Sequence, residues 1–233
     1  MALPRRVIVT GGTGALGRAV VGLLHGQGVA VAVPWRRDED WRALEGALGS
    51  SERLFGARAD LADLASVQGF VDEAATRLGG VAGLVLAAGG WAGGARFEES
   101  PEQEWERMMR ANLLTVRQTC RAALPRLRQG GGSVVTVGAR AAETGGAGMA
   151  GYAVAKVAVS ALTRVLALEN RDRGVRFNCV LPGTIDTPAN REAMPGADRS
   201  GWTSPQAIAR VIAFLLSSDS APVTGALVPV DAW

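Results

Sequence analysis

The sequence predicts an α/β fold: one mostly parallel sheet of seven strands, with helices on both faces. Three observations predict it. Short apolar runs alternate with helix-periodic segments from end to end. The first run leads straight into a glycine-rich turn. No linker or internal repeat interrupts the series, so residues 1–233 are expected to form a single domain.

Residues 7–10 read as the first strand, and 15–27 as a helix stopped by Gly28. A second strand covers 29–33 and a second helix 38–48. The third pair is a strand over 54–59 and a helix over 63–78. Residues 81–87 form a strongly apolar strand. Ser100 is the expected cap of a long helix, with Pro101 at its first position and acids in its first turn. A strand over 133–137 precedes a long helix over 149–173, and a strand over 175–181 follows. Ser204 and Pro205 open a helix reaching Leu216, and residues 226–230 close the series. The longest stretch without clear periodicity runs from Gly183 to Trp202. A loop of that length is usually functional or mobile, and a substrate lid at about 183–203 is expected.

Composition narrows the function. The net charge of +3 is spread along the chain, which argues against a nucleic-acid partner. No apolar run is expected to reach membrane-spanning length, so no membrane partner is expected. Met1 to Arg6 leads directly into a strand, leaving no room for a signal peptide, and a cytoplasmic location is expected. Cys120 and Cys179 read as buried free thiols rather than a disulfide or metal pair. His25 stands alone near a helix end, so neither histidine catalysis nor a metal site is expected.

The turn after the first strand is Thr10-Gly11-Gly12-Thr13-Gly14-Ala15-Leu16-Gly17. Gly12, Gly14 and Gly17 give G-x-G-x-x-G between a strand and a helix, the context of a dinucleotide pyrophosphate site. After the second strand an acid would select NADH, and arginine accommodates a 2′-phosphate. Here Trp35 is followed by Arg36 and Arg37, which favours NADPH over NADH; Asp38 stands against that choice. Further on, Tyr152 is the only tyrosine and Lys156 lies four residues later. On a helix that spacing places both on one face, where an ammonium is expected to lower the phenol pKa.

The glycine turn and Tyr152-x-x-x-Lys156 together resemble the short-chain dehydrogenase/reductase family over nearly the whole chain. The resemblance implies a Rossmann-like, doubly wound domain. It also implies cofactor contacts from Gly11, Gly12, Thr13, Gly14, Leu16, Gly17, Arg36 and Arg37. Asp60 and Leu61 match its adenine position, and Ala87, Ala88 and Gly89 its segment after the fourth strand. Pro182, Gly183, Ile185 and Thr187 match the segment that holds the nicotinamide carboxamide. Tyr152 would donate a proton, Lys156 would tune it and hold the nicotinamide ribose, and Asn112 would help hold a water serving Lys156. A homodimer or homotetramer is implied.

Three positions depart from the family pattern. Leu86-Ala87-Ala88-Gly89 replaces its N-N-A-G, and Ala15 stands where many members have glycine. Ala139 occupies the place of the catalytic serine, with Thr136 and Thr144 the nearest hydroxyls in sequence. Residues 88–94, 138–142, 148–152, 186–191 and 194–198, with Ser200 and Trp202, resemble dihydropteridine reductases, which also lack the serine. A strongly electrophilic substrate needs less polarisation, so a conjugated or quinonoid C=N or C=O small molecule is expected. Trp91 and Trp202 are expected to stack on it. The alternatives are a general carbonyl or alcohol dehydrogenase with a substitute hydroxyl, and a non-catalytic NADP-binding regulatory protein.

Overall fold

A computed structural model describes residues 1–231; the last two residues of the expected 1–233 domain lie outside the described residues. The elements run β1 (Arg6–Thr10), α1 (Ala15–Gly26), β2 (Ala30–Trp35), α2 (Asp38–Leu48), β3 (Leu54–Arg58), α3 (Leu64–Leu78) and β4 (Gly83–Leu86). Then come α4 (Glu102–Met108), α5 (Thr115–Leu127), β5 (Gly132–Val137), α6 (Arg140–Thr144), α7 (Ala150–Glu169), β6 (Val175–Pro182), α8 (Pro188–Ala193), α9 (Pro205–Leu216) and β7 (Leu227–Val230). The strands form one sheet in the order β3-β2-β1-β4-β5-β6-β7. Every pairing is parallel, so the "mostly parallel" expectation becomes wholly parallel.

Side chains alternate across a strand, and the two cores follow from that alternation. Val7, Val9, Val85, Val135 and Val180 face α1 and α9, where Val20, Leu24, Ile208 and Ile212 meet them. Ile8, Leu84, Leu86, Val134 and Phe177 face α3, α5 and α7 on the other side. Each such side chain contributes roughly 1.5–3 kcal/mol on burial. Both faces must therefore be covered, which is what the crossover helices do.

Several expectations need correction. Pro101, not Ser100, stands at the N-cap of α4; the Ser100 hydroxyl donates back to Phe97 O at 2.8 Å. The long 149–173 helix ends at Glu169, and a separate 3₁₀ turn covers Arg171–Arg173. The aperiodic stretch after β6 contains α8, and Ile185 bridges Thr203 in parallel fashion. His25 is half-buried near the end of α1. The two cysteines are buried and free, as expected. α7 is also long and apolar enough to cross a bilayer by length and composition, with a mean hydropathy of 1.4. Its apolarity has a local cause: one face packs on the sheet, and the same helix carries Lys156 and Arg164.

Candidate active site

The strand order reverses direction at β1, whose neighbours are β2 and β4, and a crevice opens at their carboxyl ends. The glycine turn fills it tightly. A Cβ on Gly11 would stand 2.7 Å from Ala88 N, and one on Gly17 would stand 2.6 Å from the Gly11 carbonyl carbon. Gly11 also has φ +66, which favours glycine. Side chains at these positions would close the backbone approach that a pyrophosphate needs. Gly12 packs on Val33, and Leu16 lies in the core, so both support the turn from behind.

A cavity of ≈ 440 Å³ runs from this turn toward β2 and β3. Gly11, Thr13, Gly14, Arg36, Arg37, Asp60, Leu61, Ala87, Ala88 and Gly89 line it, so the structure brings these sequence-predicted residues together. The dimensions and the glycine cradle fit a dinucleotide. Arg37 is held by Asp40 at 2.7 Å and Glu39 at 3.8 Å, which raises the Arg37 pKa, whereas Arg36 has no ion-pair partner among the described residues. Sequence reasoning missed Arg107, Arg110 and Thr115, which reach the cavity from α4, α5 and the helical segment between them. Arg110 pairs with Asp60 at 3.1 Å. It also missed Arg18, which donates to Thr13 O at 2.8 Å and Asp40 O at 3.1 Å, tying the glycine turn to α2. No motif marks these residues, because their meeting depends on the crossover path.

Past Gly89 the second cluster begins. Asn112 lies in a π-helical segment, Met109–Leu114, and is fully buried. Its amide donates to Gly90 O at 3.0 Å and Met108 O at 3.1 Å, and its Oδ1 accepts from Gly90 N at 3.2 Å. The side chain therefore copies a strand partner for Gly90. A water for Lys156 could use only the acceptor capacity that Oδ1 keeps. A Cβ on Gly89 would stand 2.6 Å from Asn112 Oδ1 and 3.4 Å from Lys156 Nζ, so Gly89 leaves room for both to converge.

Lys156 is buried and donates to Val137 O at 2.9 Å. Burial pulls its pKa down to about 8, against a smaller opposing effect from Cys179. Its Nζ sits 5.8 Å from the Tyr152 ring centre. Burial also raises the Tyr152 pKa. The sequence-based expectation of a lowered phenol is corrected here: the ammonium donates to a backbone carbonyl, and burial alone shifts the phenol.

Ala139 lies two residues past the end of β5 and caps α6 with no side-chain hydrogen bond. Thr136 is buried and shares a hydrogen bond with Thr163 at 2.8 Å, deep in the core. Thr144 is exposed at the end of α6 and bonds to Arg140 O at 3.3 Å. Pro182 ends β6, and Thr187 caps α8 by accepting from Asn190 N at 3.1 Å. Ile185 pairs with Thr203, on the far side of the α8 segment from Gly183. Trp91 is 62% exposed. Trp202 is half-buried, with the Arg199 guanidinium 5.6 Å above its ring. Among the described residues no group of three metal-ligating side chains occurs.

A parallel doubly wound sheet, a glycine turn at the switch point and a Tyr-Lys helix beside it define a dinucleotide-dependent oxidoreductase. A family model described as short chain dehydrogenase matches residues 5–198, and the chain belongs to that family as an NAD(P)-dependent enzyme. It is 34% identical over 239 residues to 4-formylbenzenesulfonate dehydrogenase TsaC1/TsaC2 of Comamonas testosteroni, covering 96% of this chain and 95% of the relative. An apo short chain oxidoreductase from Pseudomonas aeruginosa PAO1, described as containing an atypical catalytic center, superposes with TM-score 0.91 at 29% identity, covering 99% of this chain and 97% of the other. An NADPH-bound structure described in the same words superposes with TM-score 0.90 at 30% identity, covering 98% and 96%.

Proposed function

We propose that the chain is an NADPH-dependent reductase of conjugated or quinonoid C=N or C=O compounds, with chemistry like that of dihydropteridine reductase. Ala139 carries this reading. The strand end offers a substrate no donor, and Thr136 and Thr144 bond elsewhere. Losing such a donor costs roughly 2.7–4 kcal/mol in the transition state. A carbon that is already electrophilic tolerates that loss; a plain ketone does not.

NADPH is supported by Arg36, which lines the cavity just past β2 with no ion-pair partner among the described residues, and by the NADPH-bound Pseudomonas relative. The nicotinamide, when bound, supplies a hydride. Tyr152 gives its phenolic proton to the substrate heteroatom as the carbon is reduced. Burial raises the Tyr152 pKa, so the phenol holds that proton at neutral pH, the form reduction requires. Lys156, held by Val137 O, keeps a positive charge beside the resulting phenolate and would hold the nicotinamide ribose. Asn112 positions the Gly89–Trp91 segment. Pro182, Gly183, Ile185 and Thr187 would hold the nicotinamide carboxamide.

Trp91 offers an exposed indole face to a flat substrate, a better platform than Trp202, whose ring Arg199 covers. Residues 183–203 act as a lid anchored at the Ile185–Thr203 bridge. We assign a homodimer or homotetramer to the exposed face of α7, where Val154, Val157, Val165 and Leu168 stand in an apolar row. A cytoplasmic location fits a pair of free thiols.

A second reading, a general carbonyl or alcohol dehydrogenase, is favoured by the name of the Comamonas relative. The test is cofactor oxidation by purified protein with a quinonoid dihydropterin, an imine and a ketone. NADPH and NADH are both used, with Tyr152→Phe as control. Efficient ketone reduction with no dihydropterin turnover overturns the proposal. Binding of NADPH without turnover of any acceptor, unaffected by Tyr152→Phe, marks a regulatory protein instead.

A further inference from the structure

The residue after Ala139 is also unusual in its setting. Arg140, the first residue of α6 after β5, reaches past the end of β6 to Asp231, just beyond β7, with Nε 3.4 Å from Oδ2. β6 lies between those two strands in the sheet, so the pair is strung across its carboxyl end. Gly183 sits beneath it. A Cβ there would stand 2.8 Å from Asp231 Oδ1, so the carboxylate rests on the Gly183 backbone.

The ladder at that point is loose. Gly183 N reaches Val230 O at only 3.4 Å. Val230 O also accepts from Thr203 Oγ1 at 3.3 Å. The end of β7 thus meets three things at once: the Gly183 segment, the far end of the proposed lid and, through Asp231, the residue that follows Ala139. Hydrogen bonds this long hold a segment weakly. A charged strap across it restores definition at the place where a displacement of about 1 Å changes reaction rate most.

We propose that Arg140 and Asp231 are positioning residues for the nicotinamide half of the cofactor. They fix Gly183 and its neighbours between β5 and β7. The inference rests on the reading of Pro182 to Thr187 as the nicotinamide-side segment. With no hydroxyl at residue 139 to hold the substrate, alignment falls on Tyr152 and on the placement of the ring, so a strap on the ring side has more to do here than where the hydroxyl is present.

The experiment compares two ligands by fluorescence and calorimetric titration. One is NADPH; the other is 2′-phospho-ADP-ribose, the same molecule without its nicotinamide. Arg140→Ala and Asp231→Asn should each weaken NADPH about fivefold, as expected of a partly exposed ion pair, and leave 2′-phospho-ADP-ribose unchanged. The double variant should bind NADPH no more weakly than either single one. Unchanged NADPH affinity, equal weakening of both ligands, or additive losses overturns the proposal. If Arg140→Ala does not fold, Asp231→Asn carries the comparison alone. Wild-type protein that binds neither ligand sinks the cofactor reading itself, before any variant is compared.

Discussion

Replacing Lys156 by methionine tests the electrostatics of the site without needing a substrate. Lys156 is buried and is drawn from its ordinary 10.5 down to about 8. At 1.36 kcal/mol for each pKa unit, keeping the ammonium charged at pH 7 costs the folded state about 3 kcal/mol. Methionine preserves the apolar stem but leaves Val137 O without its donor. An unpaired buried carbonyl costs about 1–3 kcal/mol. The two effects nearly offset, so Lys156→Met should lie within about 2 kcal/mol of wild type at pH 7.

The pH dependence separates them. The folded pKa is below the unfolded one. Between about 8 and 10.5 the unfolded chain therefore holds more protons, and wild type gains stability as pH rises. Lys156→Met lacks that proton and gains nothing from it. The stability of wild type relative to the variant should rise by about 2–3 kcal/mol from pH 7 to pH 10, read from urea unfolding at matched ionic strength. Subtracting the variant removes the titration of every other group. A flat difference, or one that falls with pH, refutes the claim that burial dominates at Lys156.

Tyr152→Phe should lower turnover by about 10²–10⁴-fold while leaving NADPH affinity unchanged, measured by cofactor oxidation and by fluorescence titration. Arg36→Ala should weaken NADPH by about 10- to 100-fold and leave NADH alone, the scale of a lost charge-assisted hydrogen bond. Arg37→Ala should do much less, because Asp40 already holds that guanidinium at 2.7 Å. Ala139→Ser should raise ketone reduction by up to about 10²–10³-fold and change quinonoid reduction little, since it returns a single donor. A uniform gain across both substrate types would break the link between Ala139 and substrate electrophilicity.

Much of the fold was legible because burial on two faces writes apolar runs directly into the chain. Val7 to Val9, Leu84 to Leu86 and Val134 to Val137 are buried on both sides, and each reads as a strand without help. The glycine turn was legible for a different reason: close backbone contacts leave no room for side chains at Gly11 and Gly17. The short helices α6 and α8 were not legible, since five or six residues carry no period. The Tyr152 pKa was misread because spacing fixes which helix face two residues share, not how much water reaches them. The depth of Lys156 comes from β5 and from Gly89, more than sixty residues upstream, packed against it.

The same packing explains why one group at the site stands apart. Lys156 has Val137 O, Asn112 has Gly90 and Met108, and Thr187 has Asn190 N. Each is held in place by a backbone group, which fixes its rotamer before any ligand arrives. Tyr152 has no hydrogen-bond partner among the described residues, and burial alone shifts its pKa. Alanine at 139 offers the phenol no hydroxyl to bond. On the proposed reading Tyr152 is therefore the donor left free for the reacting atom. Such a site discriminates by what a substrate can do with one proton and one hydride. That favours conjugated acceptors over carbonyls that need a second hydrogen bond before they react.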